Sequence, residues 1–366
     1  MKKLLCIFIA CCLTASLFSG CAGDSEVGKN GTLKIFNWGE YMSDGTDASR
    51  NVIREFERET GIKVEAYDTY DSNEQMYAKL KSGSSDYDII FPSDYMISRL
   101  IDEDMVEKID FDKLENYGNI MDEYKGDVYG YDPTNEYSVP YTWGTVGIVY
   151  NKKMVEKLTG QPADEVVKGW SVFWDERFKD NMFMFINSRD SFMIAEKLLG
   201  YSLNETDPDR LKQAASKLRE QKPYVQAYVM DEMFDKMENG EAALSPAYAG
   251  DIITMMDYNE ELGYCFPEEG TNIFVDVVAI PKGAKNKENA EKFIDFLCRA
   301  DIAKANIEYI SYSTPNRAAY EKLDEDLRES EIAYPSKERL ERCEAFVNLS
   351  PEATEQMENL WTEIRK

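Results

Sequence analysis

The feature that most narrows what this chain can fold into is a strand, a helix and a second strand packed into one short stretch near its start. Thr32-Leu33-Lys34-Ile35-Phe36-Asn37 alternates in the manner of a strand. Residues 49–60 then set Val52, Ile53 and Phe56 on one helical face, Gly61 stops the helix, and Ile62-Lys63-Val64-Glu65-Ala66-Tyr67 reads as the next strand. That succession is the repeating unit of a parallel sheet covered by helices. It continues: Ser72-Asn73-Glu74-Gln75 is a capping box that opens a helix through Leu80. Tyr87-Asp88-Ile89-Ile90-Phe91 is a buried strand, ended by Pro92-Ser93 with another helix behind it. A doubly wound α/β lobe is expected.

The texture changes at Pro140. Residues 139–150 read as extended chain leaving the first lobe, and helix and strand signals resume to about residue 270. A second extended stretch, residues 273–281, follows, and then a helix with Ala290, Phe293, Ile294 and Leu297 at helical spacing. No internal repeat or low-complexity segment interrupts the pattern. The 366 residues suit two compact lobes, and two extended crossings between α/β segments suggest a cleft between them.

Charge and residue usage exclude several functions. Lys and Arg total 42 against 69 Asp and Glu, a formal net charge of −27, so nucleic acid is excluded as a partner. The chain has no histidine, which removes histidine-based triads, His-ligated zinc and the usual neutral-pH base; no metal and no cofactor are expected. Lys2 and Lys3 precede an apolar run over residues 4–18, too short to span a bilayer comfortably, which describes an export signal. Leu17-Phe18-Ser19-Gly20-Cys21 resembles a bacterial lipoprotein signal with Cys21 as the lipidated residue, although Phe18 stands where an aliphatic residue is usual. The alternative is an ordinary cleaved signal with an incidental cysteine. Polar residues 24–31 suit a tether. Cys265, Cys298 and Cys343 are too few and too widely spaced for a disulfide framework, and Cys298 reads as a small buried hydrophobe. Trp170 and Trp174 read as lobe packing.

An ordered series of segments carries a family resemblance. It comprises Asn37-Trp38-Gly39-Glu40-Tyr41, residues 70–80, Pro92-Ser93-Asp94-Tyr95, Ser138-Val139-Pro140-Tyr141-Thr142-Trp143-Gly144, Asp276 with Ala279-Ile280-Pro281, Ala284-Lys285-Asn286, and Tyr312-Ser313-Thr314-Pro315-Asn316. From about Leu33 to the C-terminus the chain resembles the spermidine/putrescine-binding proteins of polyamine ABC transporters, a branch of the type II periplasmic binding proteins. The resemblance implies two doubly wound α/β lobes joined by crossing strands and closing on a ligand between them. The expected organisation is a signal over 1–20, a lipid-anchored linker over 21–31, a first lobe from 32–144 and 276–320, and a second from 145–275 and 321–366. An exported, membrane-anchored monomer would deliver a polyamine to permease subunits, without catalysis.

The family grips the methylene chain with aromatic rings and meets the ammonium groups with carboxylates. Carried over residue by residue, this implies ligand contacts from Trp38, Glu40, Tyr41, Ser93, Tyr95, Asn187, Asp190, Tyr248, Phe274, Asp276 and Tyr312. Tyr248 and Phe274 stand where the family has tryptophan. Three positions depart: Asn187 replaces a carboxylate, Met230 a serine and Phe346 a glutamine. The loss of charge at Asn187 suggests weaker discrimination in favour of triply charged spermidine and relatively better putrescine binding. Each residue also has a plainer role: Trp38 as core, Ser93 as a helix cap, Asp190 as the N-cap of its helix. Asp276 is the hardest to dismiss, because a carboxylate among Phe274, Val275, Val277 and Val278 needs a partner. Rival readings are a binder of the same fold for a sugar or for ferric iron through tyrosines, and a glycoside hydrolase using Asp190 and Asp276 as its carboxylate pair.

Overall fold

The computed structural model describes residues 27–366. The signal over 1–20, Cys21 and most of the linker lie outside the described residues. Strands β1 (Thr32–Trp38), β2 (Lys63–Tyr70) and β3 (Ile89–Ile90) are parallel, with β1 between the other two. Alternation along β1 feeds two cores: Leu33 and Ile35 pack with Phe56 and Phe293 on one face, while Phe36 meets Tyr70 and Met96 on the other. The helix expected over 49–60 is Val52–Thr60. It starts later because the Asn51 side chain accepts the Arg54 N–H at 2.8 Å and so caps it. The strand expected over 87–91 shortens to β3, since only Ile89 and Ile90 find partners on β1.

The remaining strands are β4 (Ser138–Asn151), β5 (Phe183–Phe185), β6 (Ala227–Val229), β7 (Leu244–Tyr248), β8 (Leu262–Cys265), β9 (Thr271–Ala279) and β10 (Cys343–Glu344). One continuous order, β2-β1-β3-β9-β4-β7, runs through both lobes, with β8 added on β4 and β10 on β9. The separate β5-β6 pair reaches β7 through a bridge between Met182 and Leu244. The two extended crossings are thus β4 and β9, which pair antiparallel from Ser138–Ala279 to Thr145–Ile273. Their register shifts between Pro140 and Thr142. Proline cannot donate to the ladder, so a bulge forms beside it, and the extra residue Tyr141 leaves Thr142 facing Asp276 across the strands.

The second lobe has its own core, in which Trp170, Phe173, Phe192, Trp361 and Ile364 are all buried. Both tryptophans expected to pack there do so: Trp170 Nε1 donates to the Gly270 carbonyl at 2.9 Å, and Trp174 Nε1 to that of Lys217 at 2.9 Å. The C-terminal helix Pro351–Arg365, capped by Ser350, closes this core. Residues between the two last core segments lie at the junction: Leu323 packs with Tyr312, and the Tyr334 ring meets Trp143 at 5.8 Å. Cys298 is buried in the first lobe's core, and Cys265, Cys298 and Cys343 are all free thiols. Among the described residues no helix is long and apolar enough to cross a membrane.

One close approach fixes a wall of the interlobe cleft. A Cβ at Gly250, in the first turn of the Ala249–Tyr258 helix, would lie 1.9 Å from a ring carbon of Tyr312. Gly250→Ala is therefore expected to lower stability by about 1–3 kcal/mol, as overpacking does, and to lower the melting temperature accordingly. Thermal denaturation of the two forms checks it; equal melting temperatures would mean that Tyr312 moves aside freely.

Candidate ligand-binding cleft

A single cleft of 1350 Å³ between the lobes is lined by all eleven residues carried over by resemblance. Its floor is a row of rings. Phe274 stands between Tyr312, at 6.2 Å and 61°, and Tyr248, at 5.6 Å and 81°. Tyr41 meets Tyr312 edge-on at 5.2 Å. Edge-to-face packing holds each ring by its neighbour while leaving faces free for a ligand. Phe274 can approach β4 this closely because residue 144 is glycine; a Cβ there would come within 2.8 Å of the tip of the ring. Trp38, half-buried at the end of β1, is both core and wall: its Nε1 donates to the Phe91 carbonyl at 2.8 Å, and its ring packs on Tyr70 at 4.7 Å.

Three tyrosine hydroxyls each donate to a carboxylate. Tyr41 binds Asp276 Oδ2 at 2.5 Å, Tyr248 binds Asp190 Oδ2 at 2.7 Å, and Tyr312 binds Asp251 Oδ1 at 2.7 Å. The carboxylates therefore sit along the aromatic row, with Asp251 at the Tyr312 end, Asp190 at the Tyr248 end and Asp276 beside Tyr41. Asp276, in the wall of the cleft, is 5% exposed, and its buried Oδ1 has no hydrogen-bond partner. Burial pushes its carboxyl up to about 6, against the pull of hydrogen bonds from Ser93 and Tyr41. Burial likewise raises Asp251 to about 7, opposed by Tyr312, and raises Asp190, opposed by Tyr248 and Asn187. The three tyrosines are held well above their usual range by burial, so they remain donors.

Two plainer readings change with the geometry. Ser93 occupies the N-cap position of the Asp94–Asp102 helix, yet its side chain makes no capping bond. Its Oγ accepts from Asn73 Nδ2 at 3.0 Å, and the residue bridges to Asp276 on β9, so the hydroxyl is turned from the helix end to the cleft carboxylate. The N-cap of the Ser188–Leu198 helix is Asn187, not Asp190: Asn187 Oδ1 accepts the Asp190 N–H at 2.9 Å. That bond frees the Asp190 carboxylate for Tyr248. Tyr95 donates to Glu74 Oε1 at 2.9 Å, and its ring meets Phe346 at 5.8 Å. Glu40 is exposed at the rim, in a left-handed conformation with φ of 47°.

Sequence reasoning passed over Asp251, Asp231 and Glu74. Asp251 was accessible in principle, because it lies one helical turn beyond Tyr248, in the helix that Tyr248 opens. Glu74 stands inside the quoted 70–80 segment, read there only for its capping box. Asp231 had no local signal; it reaches the site by crossing from the second lobe to Gly39, where its Oδ2 is 2.6 Å from the place a Cβ would take. Enclosure, with repulsion from Asp71, Glu40 and Glu232, raises Asp231 to about 6 even though much of its own surface is open. Among the described residues no cluster of acidic or cysteine side chains is arranged to hold a metal ion. The arrangement can therefore hold a flexible cation with an apolar body: rings for the body, carboxylates for its charges.

Comparison with known proteins agrees with this chemistry. Residues 51–333 match the family described as bacterial extracellular solute-binding protein. The spermidine/putrescine-binding periplasmic protein of Salmonella typhimurium is 36% identical over 316 residues, covering 86% of each chain. The putrescine-binding periplasmic protein SpuD of Pseudomonas aeruginosa is 31% identical over 364 residues, covering 96% of this chain and 97% of its own. The crystal structure of the spermidine/putrescine ABC transporter substrate-binding protein PotD from Streptococcus pneumoniae superposes with a TM-score of 0.74 at 36% identity, over 91% of this chain and 98% of that one. With its two lobes, crossing strands and interlobe cleft, the chain belongs to the family of bacterial extracellular solute-binding proteins.

Proposed function

We propose that this protein captures a short polyamine, putrescine and/or spermidine, in the interlobe cleft and passes it to the permease subunits of an ABC transporter. In this reading it is exported as a monomer, tethered to the outer face of the membrane through a lipid on Cys21, and works by lobe closure instead of catalysis. The lobes in this reading are 32–144 with 276–320 and 145–275 with 321–366, hinged at β4 and β9, with the stretch that holds Leu323 and Tyr334 packed back on Tyr312 and Trp143 at the junction. The observation that carries the reading is the row of three carboxylates, Asp251, Asp276 and Asp190, each held by a tyrosine hydroxyl along an aromatic floor.

The chemistry favours an amine over the rivals. A ring face under an ammonium or its neighbouring methylene contributes about 0.5–2 kcal/mol, and a charge-assisted hydrogen bond about 1.5–3 kcal/mol. Even after at least ~4 kcal/mol of lost freedom, micromolar binding, about −8 kcal/mol, is within reach. A sugar would want neutral hydrogen-bonding groups where these carboxylates stand. Ferric iron would want free tyrosine oxygens, yet Tyr248 and Tyr312 donate theirs to carboxylates. Asp190 and Asp276 are each committed to a tyrosine donor, which suits a fixed charge better than the proton transfers of a hydrolase.

A thermal-shift panel of polyamines, sugars, amino acids and ferric iron tests the reading, since a ligand at 100 times its Kd stabilises by about 2.7 kcal/mol. Stabilisation by a sugar or iron, and by no polyamine, would reject it. Asp276→Asn keeps the volume and removes the charge; putrescine affinity is expected to fall about 10–150-fold, measured by calorimetry, with the fold intact. Asn187→Asp retains a good N-cap, so stability should change by less than about 0.5 kcal/mol, while spermidine affinity gains on putrescine by about tenfold. No gain would remove Asn187 from the specificity argument. The raised carboxyls also fix a pH dependence. In the free protein Asp251 and Asp276 take up protons as pH falls through about 7 and about 6, and an ammonium needs them ionised. Affinity should therefore be full near pH 8 and decline towards pH 5.5, by up to about tenfold per pH unit for each carboxyl that must ionise, with proton release on binding seen by calorimetry in two buffers.

A further inference from the structure

The two ends of the cleft are electrically unequal. At the Asp251 end stand Asp231 and Glu40, whose charges add to burial in raising the Asp251 carboxyl. At the Asp190 end stands Arg189, 8% exposed, with its guanidinium 4.3 Å above the Phe346 ring and 5.4 Å from that of Tyr95. Nη2 donates to Asn204 Oδ1 at 3.1 Å and to the Val347 carbonyl at 3.4 Å. Nε and Nη1 are buried with no hydrogen-bond partner, and the Glu196 carboxylate, fully buried on the same helix, has none on either oxygen. Arg189 is thus fixed by stacking and by one nitrogen, and its charge is felt by the carboxylates of Asp190, Glu74, Glu196, Glu358 and Asp94 without being spent in a close ion pair to any one of them. A guanidinium that lines the cleft beside Asp190, stacked on the Phe346 ring, is a permanent positive group in its wall.

We propose that Arg189, clamped over Phe346, is a resident cation that limits the length of polyamine the cleft accepts, admitting a diamine between Asp251 and Asp276 and repelling a third ammonium at the Asp190 end. The inference rests on the polyamine reading above and deepens it. Like charges brought together in an enclosed, poorly solvated slot repel far more strongly than at an open surface, so one buried cation suffices to separate diamine from triamine. Asn187 reinforces it, since no second carboxylate stands in the first turn of that helix to offset Arg189. Arg189 acts here as a specificity residue; the ammonium groups themselves meet carboxylates.

The test is calorimetric titration of the protein and of Arg189→Gln, Arg189→Met and Arg189→Lys with putrescine and spermidine. The spermidine-to-putrescine affinity ratio is expected to rise at least about tenfold in Arg189→Gln and Arg189→Met and to stay within about threefold in Arg189→Lys, which keeps the charge. Should Arg189→Gln fail to fold, Arg189→Met carries the test, because its unbranched apolar chain can rest on the same rings without needing partners. An unmoved ratio in a folded neutral variant, or parallel loss of both amines, overturns the role given to Arg189 and leaves the polyamine reading standing. Failure of the unaltered protein to bind either amine overturns that reading, and this inference with it.

Discussion

The site depends on keeping one carboxylate charged inside an apolar strand. Asp276 sits on β9 between residues that are themselves buried, where an unpaired ion would neutralise itself by taking a proton. Tyr41 and Ser93 supply the hydrogen bonds that oppose this, and they come from the ends of β1 and β3, strands that belong to the first lobe's sheet. The bulge beside Pro140 sets Thr142 opposite, within 2.5 Å of the Tyr41 hydroxyl. The carboxylate is therefore set in place by three separated parts of the chain, in the wall of the cleft where the two lobes meet. A polar group this constrained is preorganised for a cation and costs little further ordering when one arrives.

Net charge is a poor guide to this specificity. Most acidic residues face solvent, and pairs such as Lys108–Glu136 or Lys282–Asp104 are exposed at both partners, where ion pairs contribute little. What distinguishes the cleft is enclosure. The same carboxyl that is ordinary on the surface becomes, at Asp251, a group titrating near neutrality. Enclosure also makes a single opposite charge, Arg189, count for more than many lysines outside.

Much of the architecture was legible because it follows from local rules. Alternation in residues 32–37, the Ser72 capping box and the apolar crossings at 139–150 and 273–281 each appear in the structure as β1, a capped helix, β4 and β9. The eleven cleft residues came from resemblance to a family and not from pattern, since Trp38 or Tyr248 alone looks like core. What escaped was set by long-range geometry. Nothing local to Asp231 says that it will cross to Gly39, and nothing local to Arg189 says that its guanidinium will settle on Phe346, far along the chain. The plainer role of Ser93, a helix cap, follows from local chemistry; Asn73 and Asp276, distant in sequence, compete successfully for its hydroxyl.

The helix Pro351–Arg365 gives the molecule a particular order of completion. Met357, Trp361 and Ile364 fill the second lobe's core, and Trp361 Nε1 satisfies the Ile186 carbonyl at 3.0 Å, just before the helix that carries Asp190. Without those residues the second core would be open on one side, because Phe185 and Phe192 belong to the same buried cluster. The half of the binding slot that carries Asp190 therefore takes its final shape only when a helix far along the chain is docked against it.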